Sequence, residues 1–233
     1  MRDTIQDEKF FENRIKNTKN EIRESNKYLN MGKEKGDEKI IKTCFFSLST
    51  EYRDLFKQYY SIGQDLDELY LCYKEWLSYY SKAVGKDEYM DLGELLNLFS
   101  IGICYEDRKE EFLPYLQSIV GNAQPYIDPT LELYIKYLGL KPNEGKRAKF
   151  KVNYLERLLN SEDKVKSLKN TMANWYRFNQ GEPWYGSHDK EFYNGYWAFD
   201  VCGLVKILGI DDDVVKDHKY YPYDLVHFND NKK

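Results

Sequence analysis

Three histidines, His188, His218 and His227, fall in the last fifth of a 233-residue chain, beside Asp189, Glu191, Asp200 and Asp224. Three imidazoles and a carboxylate make a zinc ligand set, and a zinc-bound water would make a metal-dependent hydrolase. A persuasive site would place two ligands on one helical turn. Here His188 precedes the helical stretch that follows, and His218 and His227 stand on separate turns, so structural roles are the expectation. No metal and no cofactor are expected, and hydrolysis is kept as the alternative function. Asp200 raises a different question, because it lies inside the most continuously apolar helical segment of the chain. Burial would raise its pKa and could make it a general base. No nucleophile accompanies it, so the expectation is an anchor that hydrogen-bonds a tyrosine hydroxyl, a tryptophan indole or loop amides and holds the segment Tyr221–Asp224. No catalytic residue is assigned.

Other chemistry is weaker still. Gly-rich phosphate loops, nucleophile elbows, H-E-x-x-H and Cys-x-x-Cys motifs do not occur. Glu106, Asp107, Glu110 and Glu111 surround Arg108 and Lys109 as the solvated start of a helix rather than a metal site. Lys141, Lys146, Arg147, Lys149 and Lys151 form one basic patch at a loop, read as solvent-facing, since a net charge of −4 argues against a nucleic-acid footprint. Cys44, Cys72, Cys104 and Cys202 lack metal-ligand spacing and sit on apolar faces, as buried free thiols do. From Glu182 onward ten acids face six lysines, a balance that suits a basic partner.

The elements that must position these residues are helices. Apolar residues recur at helical spacing from Asp3 to about Lys35, from Asp37 to Ile62, and again after Asp65, over Leu69, Tyr73, Trp76, Leu77 and Tyr80. A fourth helix is expected over about Tyr89–Cys104. A fifth runs over Asp107–Val120 and should break or restart near Pro114, because proline inside a helix costs about 3 kcal/mol. Gly121–Pro125 reads as a boundary. Asp128-Pro129 opens a helix ending at Leu138-Gly139, and two more follow over about Phe150–Asn160 and Ser161–Asn179. No strand pattern and no repeat is present. The expected fold is all-α: two packed helical subdomains built from antiparallel hairpins, 1–121 and 126–230, with a central helix over 193–208. Twenty-two tyrosines are the compositional outlier; most are expected at helix boundaries, the rest at a recognition surface.

The stretch from Tyr193 to Phe228 carries a resemblance. Tyr196-Trp197, Phe199, Asp200, Lys206-Ile207-Leu208-Gly209 and Tyr221-Pro222-Tyr223-Asp224 resemble the carboxy-terminal domain of the polymorphic-nuclease immunity (PoNi) family, in which an acid, more often Glu, holds the place of Asp200. The amino-terminal helix pair and Ser61-Ile62-Gly63 are similar, less specifically, to that family's amino-terminal domain. The resemblance implies an antibacterial immunity protein that binds a DNA-degrading toxin encoded nearby in a stoichiometric complex. It would occlude the toxin's active site and catalyse nothing itself. Asp211, Asp212, Asp213, Asp217 and Tyr220 are expected to be exposed beside the central helix and to meet the toxin. The polar amino terminus and the lack of a long apolar run lead to a cytoplasmic expectation, without direct contact to membrane or nucleic acid. Monomer and homodimer both stay open, and a generic helical scaffold is the remaining alternative.

Overall fold

A computed structural model describes residues 1–230. Ten α-helices occur among them: α1 (Glu8–Lys35), α2 (Glu38–Ile62), α3 (Leu66–Ala83), α4 (Leu92–Cys104), α5 (Lys109–Asn122), α6 (Pro129–Tyr137), α7 (Asn153–Asn160), α8 (Lys164–Phe178), α9 (Phe199–Leu208) and α10 (Tyr223–Val226). The protein is all-α. The described residues contain no strand, and two isolated bridges, Glu88 with Ala123 and Tyr126 with Ala148, tie loops together. No helix among them is long and apolar enough to cross a membrane.

Six of the ten helix starts follow one rule. Asp7, Asp37, Asp65, Asp91, Asp128 and Asp163 each stand at an N-cap and accept a backbone N–H of the first turn, which satisfies donors that have no partner within the helix. The same rule corrects the expected start of α1. Asp3 is not helical but buried, and its Oδ1 accepts from the N–H groups of Ile5 and Gln6 in a turn before Asp7. Pro114 does not break α5, which runs through it while Phe112, Leu116 and Ile119 are buried on either side. The irregularity sits earlier, as a 3₁₀ turn over Glu106–Arg108.

The chain forms two compact units, Met1–Gly85 with Gly186–Gly195, and Lys86–Tyr185 with Tyr196–Lys233. The sequence suggested a division near 121–126; contacts draw it at Gly85 because α4 packs most closely on α9. In the first unit α1 packs on α2 and α2 on α3, joined by short links that favour antiparallel neighbours. Phe56, Tyr60, Tyr73, Trp76 and Leu77 are buried there, and the Tyr73 ring lies edge-on to Trp76. Each such side chain stabilises the unit by about 1.5–3 kcal/mol through burial. Segment 186–195 then closes the unit as a strap: Tyr193 donates to Asp3 Oδ2 at 2.7 Å and its ring meets Phe10 and Phe11.

In the second unit α9 is the central element, with Phe199 to Val205 all buried. It is shorter than expected. Residues 193–198 are not helical, and Gly195 takes φ 97, a left-handed conformation that glycine adopts without steric penalty. α4 and α9 approach closely at Gly203, where a Cβ would lie 2.9 Å from Tyr134 Cζ and 3.0 Å from Ser100 Oγ. Ser100 uses that proximity, donating to the Phe199 carbonyl at 2.5 Å and accepting from the Gly203 N–H at 2.6 Å.

Candidate functional site

The buried carboxylate of α9 organises the second unit. Asp200 is 6% exposed. Its Oδ1 accepts from the Trp175 indole of α8 at 3.2 Å, and its Oδ2 accepts from the Tyr154 hydroxyl of α7. Its own carbonyl accepts from the Tyr134 hydroxyl of α6 at 2.8 Å. One residue therefore fixes three helices to a fourth, and each donor that would otherwise be stranded in the core is satisfied. Burial pushes the Asp200 carboxyl above the usual carboxylate range, against the pull of the Tyr154 and Trp175 hydrogen bonds. Tyr154 is raised well above the ordinary tyrosine range by burial and by the Asp200 charge, so its hydroxyl stays protonated. Both carboxylate oxygens are occupied by core donors, and neither donor is a nucleophile.

The segment after α9 is held by a different acid. Asp212 is 3% exposed and accepts from the Tyr221 hydroxyl at 2.6 Å. His227 Nε2 meets Asp212 Oδ1 at 2.9 Å, and His227 Nδ1 meets Asp230 Oδ2 at 2.5 Å. Tyr223 donates to Asp213 Oδ1 at 3.0 Å and lays its ring on His227. Burial lowers the His227 pKa, but its hydrogen bonds to Asp230 and Asp212, with both charges, outweigh burial and raise it. Asp200 was expected to anchor Tyr221–Asp224; Asp212 does so instead. This segment is linked back to α9 by the Ala198 N–H, which donates to the Tyr220 carbonyl at 2.9 Å, and by Lys206 Nζ, which donates to the Val226 carbonyl at 3.1 Å. Pro222 precedes α10 and its carbonyl accepts from the Leu225 N–H, while Asp224 lies in the first turn of that helix.

Two of the five expected contact residues are thus inside. Asp212 turns inward because a tyrosine and a histidine further along the chain supply its partners. Tyr220 is 7% exposed, and its ring lies 5.6 Å from those of both Trp175 and Tyr176 and 6.1 Å from that of Tyr196. Trp184 stacks on Trp175 at 5.4 Å and Tyr185 on Tyr176 at 4.3 Å, so the loop 180–185 folds its aromatic pair onto α8. Trp197 is also buried, at 8% exposure. Asp211, Asp213 and Asp217 face solvent.

The histidines do not converge. His188 is exposed and belongs to the first unit. His218 Nδ1 accepts from the Tyr220 N–H at 3.3 Å, and burial together with Lys219 lowers its pKa. Among the described residues no group of three His, Cys, Asp or Glu side chains is placed to hold a metal ion. In the basic loop Arg147 pairs with Glu132 and Lys151 with Glu156, which leaves Lys141, Lys146 and Lys149 as exposed cations. In the 3₁₀ turn before α5 Glu106 accepts from the Tyr137 hydroxyl at 2.6 Å. The four cysteines are buried free thiols.

Fold and site together define an all-α protein whose polar interior serves architecture and whose carboxy-terminal turn presents acids to solvent. The comparisons give that class a family. Residues 2–114 match the amino-terminal part, and residues 133–225 the carboxy-terminal part, of the PoNe immunity proteins (PoNi). The chain belongs to the PoNe immunity protein family, which supports an immunity role and implies binding to a cognate toxin. It is similar in fold to protein PA2201 from Pseudomonas aeruginosa, with a TM-score of 0.61 and 19% identity over 93% of this chain and 88% of that one. A comparison with curated proteins gave no match.

Proposed function

We propose that this protein binds and neutralises a DNA-degrading toxin encoded beside it, by covering the toxin's active site in a one-to-one complex in the cytoplasm. The observation that carries this reading is the match of both parts of the chain to one immunity family. The side-chain chemistry supports it. Asp200 has both oxygens on core donors, and His227 has a carboxylate on each ring nitrogen, so neither is poised to move a substrate proton.

The contact surface of this reading is the turn after α9. Asp211, Asp213 and Asp217 lie exposed within seven residues, and Asp212 and Tyr220 are buried in the same stretch. A rigid acidic turn suits a nuclease, whose own surface is basic because it grips DNA phosphates. Preorganisation lowers the entropy lost on association.

The test is co-expression. The product of the neighbouring gene is expressed in cells with and without this protein, survival is scored, and DNA degradation is assayed with purified components. Rescue with a one-to-one complex and loss of DNA cleavage is the expected outcome. Toxicity without rescue, or a complex that leaves DNA cleavage intact, overturns the reading.

A further inference from the structure

The strap of the first unit ends in a buried polar cluster whose hydrogen bonds have a forced direction. Arg14 Nη2 donates to Asn194 Oδ1 at 3.1 Å, and Gln58 Nε2 donates to the same oxygen at 2.8 Å and to Thr18 Oγ1 at 2.9 Å. Ser61 Oγ donates to the Asn194 carbonyl at 3.3 Å. A guanidinium can only donate, so it fixes which end of the Asn194 amide is oxygen. That oxygen in turn requires the NH₂ end of Gln58. Turning the Gln58 amide over would set oxygen against oxygen, so the usual ambiguity of amide orientation is removed.

The forced orientation leaves two groups over. Gln58 is fully buried, and its Oε1 has no hydrogen-bond partner among the described residues; the same holds for Arg14 Nε, which is also shut off from solvent. One is an acceptor and the other a donor. They belong to side chains that already converge on one atom, Asn194 Oδ1. The Nε–H and one of the two Nη2–H bonds of an arginine share one edge of the planar fork. The unmatched donor and the unmatched acceptor thus belong to two side chains joined through one shared acceptor atom.

We infer that this cluster is a binding site for one internal water molecule, which accepts from Arg14 Nε–H and donates to Gln58 Oε1. Water has both functions in one small molecule, and buried waters are held by two to four such groups. The water completes the lock by which Asn194 of the strap is held to α1 and α2. Its removal would leave a buried donor and a buried acceptor unmatched, so it is part of the strap's closure.

The experiment uses the full chain. Water-to-protein cross-relaxation NMR detects a long-lived water at the Arg14 Hε, and a high-resolution crystal structure locates its oxygen between Arg14 Nε and Gln58 Oε1. Asn194→Asp is the discriminating variant, because a carboxylate can take both Nε and Nη2 of Arg14 side-on and displace the water while keeping the acceptor for Gln58. Retained fold, a water signal in the parent protein and its loss in Asn194→Asp are the expected results. A parent protein with no bound water at Arg14 Nε overturns the inference, as does a water that persists unchanged in Asn194→Asp. Should Asn194→Asp not fold, the crystal structure of Arg14→Lys replaces it: its ammonium lacks the Nε donor, so the water oxygen beside Gln58 Oε1 must be lost, and a water that persists there overturns the inference.

Discussion

Asp200 and Asp212 are two buried carboxylates of one unit, twelve residues apart, each accepting from a tyrosine hydroxyl. Their remaining partners set them apart. Asp200 is held by groups that do not titrate near neutrality, a phenol raised by burial and an indole. Asp212 shares its site with an imidazole. The first carboxylate therefore acts as a fixed joint among α6, α7, α8 and α9, whereas the second makes a joint whose strength follows pH. The comparison also separates architecture from recognition. The acid at the centre of the domain holds helices together, and the acid beneath the surface turn ties that turn to Tyr221 and His227.

The largest effect expected from breaking this comparison is at Asp200. Asp200→Ala strands the Tyr154 hydroxyl and the Trp175 indole in the core, at about 1–3 kcal/mol for each buried donor left unpaired. Chemical denaturation should show that loss. It should shrink when Asp200→Ala is made in a Tyr154→Phe background, because one stranded donor is then gone. A neutral Asp200→Ala would mean that the carboxylate is not the joint described. Next comes Gly203→Ala, which brings a methyl to 2.9 Å from Tyr134 Cζ and 3.0 Å from Ser100 Oγ. Overpacking of this kind costs about 1–3 kcal/mol. The loss should be partly relieved by a smaller side chain at Tyr134, and equal loss in both backgrounds would place the strain elsewhere.

A third, smaller effect separates the two joints by pH. The folded-state pKa of His227 is raised, so its stabilising contribution is complete below the unfolded value of about 6.5. It is lost as pH rises through the higher folded value. Stability measured across this range should fall with pH in the parent protein and fall less in His227→Gln. A slope unchanged in His227→Gln would assign it to another group.

What could be read from sequence divides along the same line. The helices were legible because their starts and stops are local: aspartates at Asp37, Asp65 and Asp128 before apolar periodicity, and glycines at Gly36, Gly63 and Gly209 after it. The burial of Asp200 was legible too, since the apolar or small residues on both sides of it, Tyr196 to Phe199 and Val201 to Val205, leave a carboxylate there no route to water. Asp212 was not. Asp211, Asp212 and Asp213 are identical in type and context, and what buries the middle one lies at Tyr221 and His227, nine and fifteen residues on. Tyr220 was misjudged for the same reason, its partners being spread from Trp175 to Tyr196. The over-long central helix had a usable signal in Asn194-Gly195, a turn dipeptide whose glycine takes a left-handed φ. That same Asn194 anchors the strap, and nothing local in the sequence pairs it with Arg14 and Gln58.

The smallest stability effect is expected at the exposed acids, and there the comparison bears on function. Asp213 is a poor probe, since its carboxylate accepts from Tyr223 and so carries structure as well as charge. Asp211→Lys combined with Asp217→Lys is cleaner; surface changes of this kind stay within about 0.5 kcal/mol of the parent stability. Against a purified cognate toxin the pair should slow association by about tenfold and flatten its dependence on salt. Dissociation should change little, because rim charges steer encounter more than they hold the complex. Asp212→Asn serves as the opposite case: it removes a charge from the same turn, but from beneath the surface. It should weaken the His227 joint and lower stability while leaving the association rate closer to the parent value. If the surface pair leaves association and its salt dependence untouched, the toxin binds another face. If Asp212→Asn slows association as much as the surface pair does, net charge matters more than where the acids are displayed, and the division between supporting and displayed acids fails.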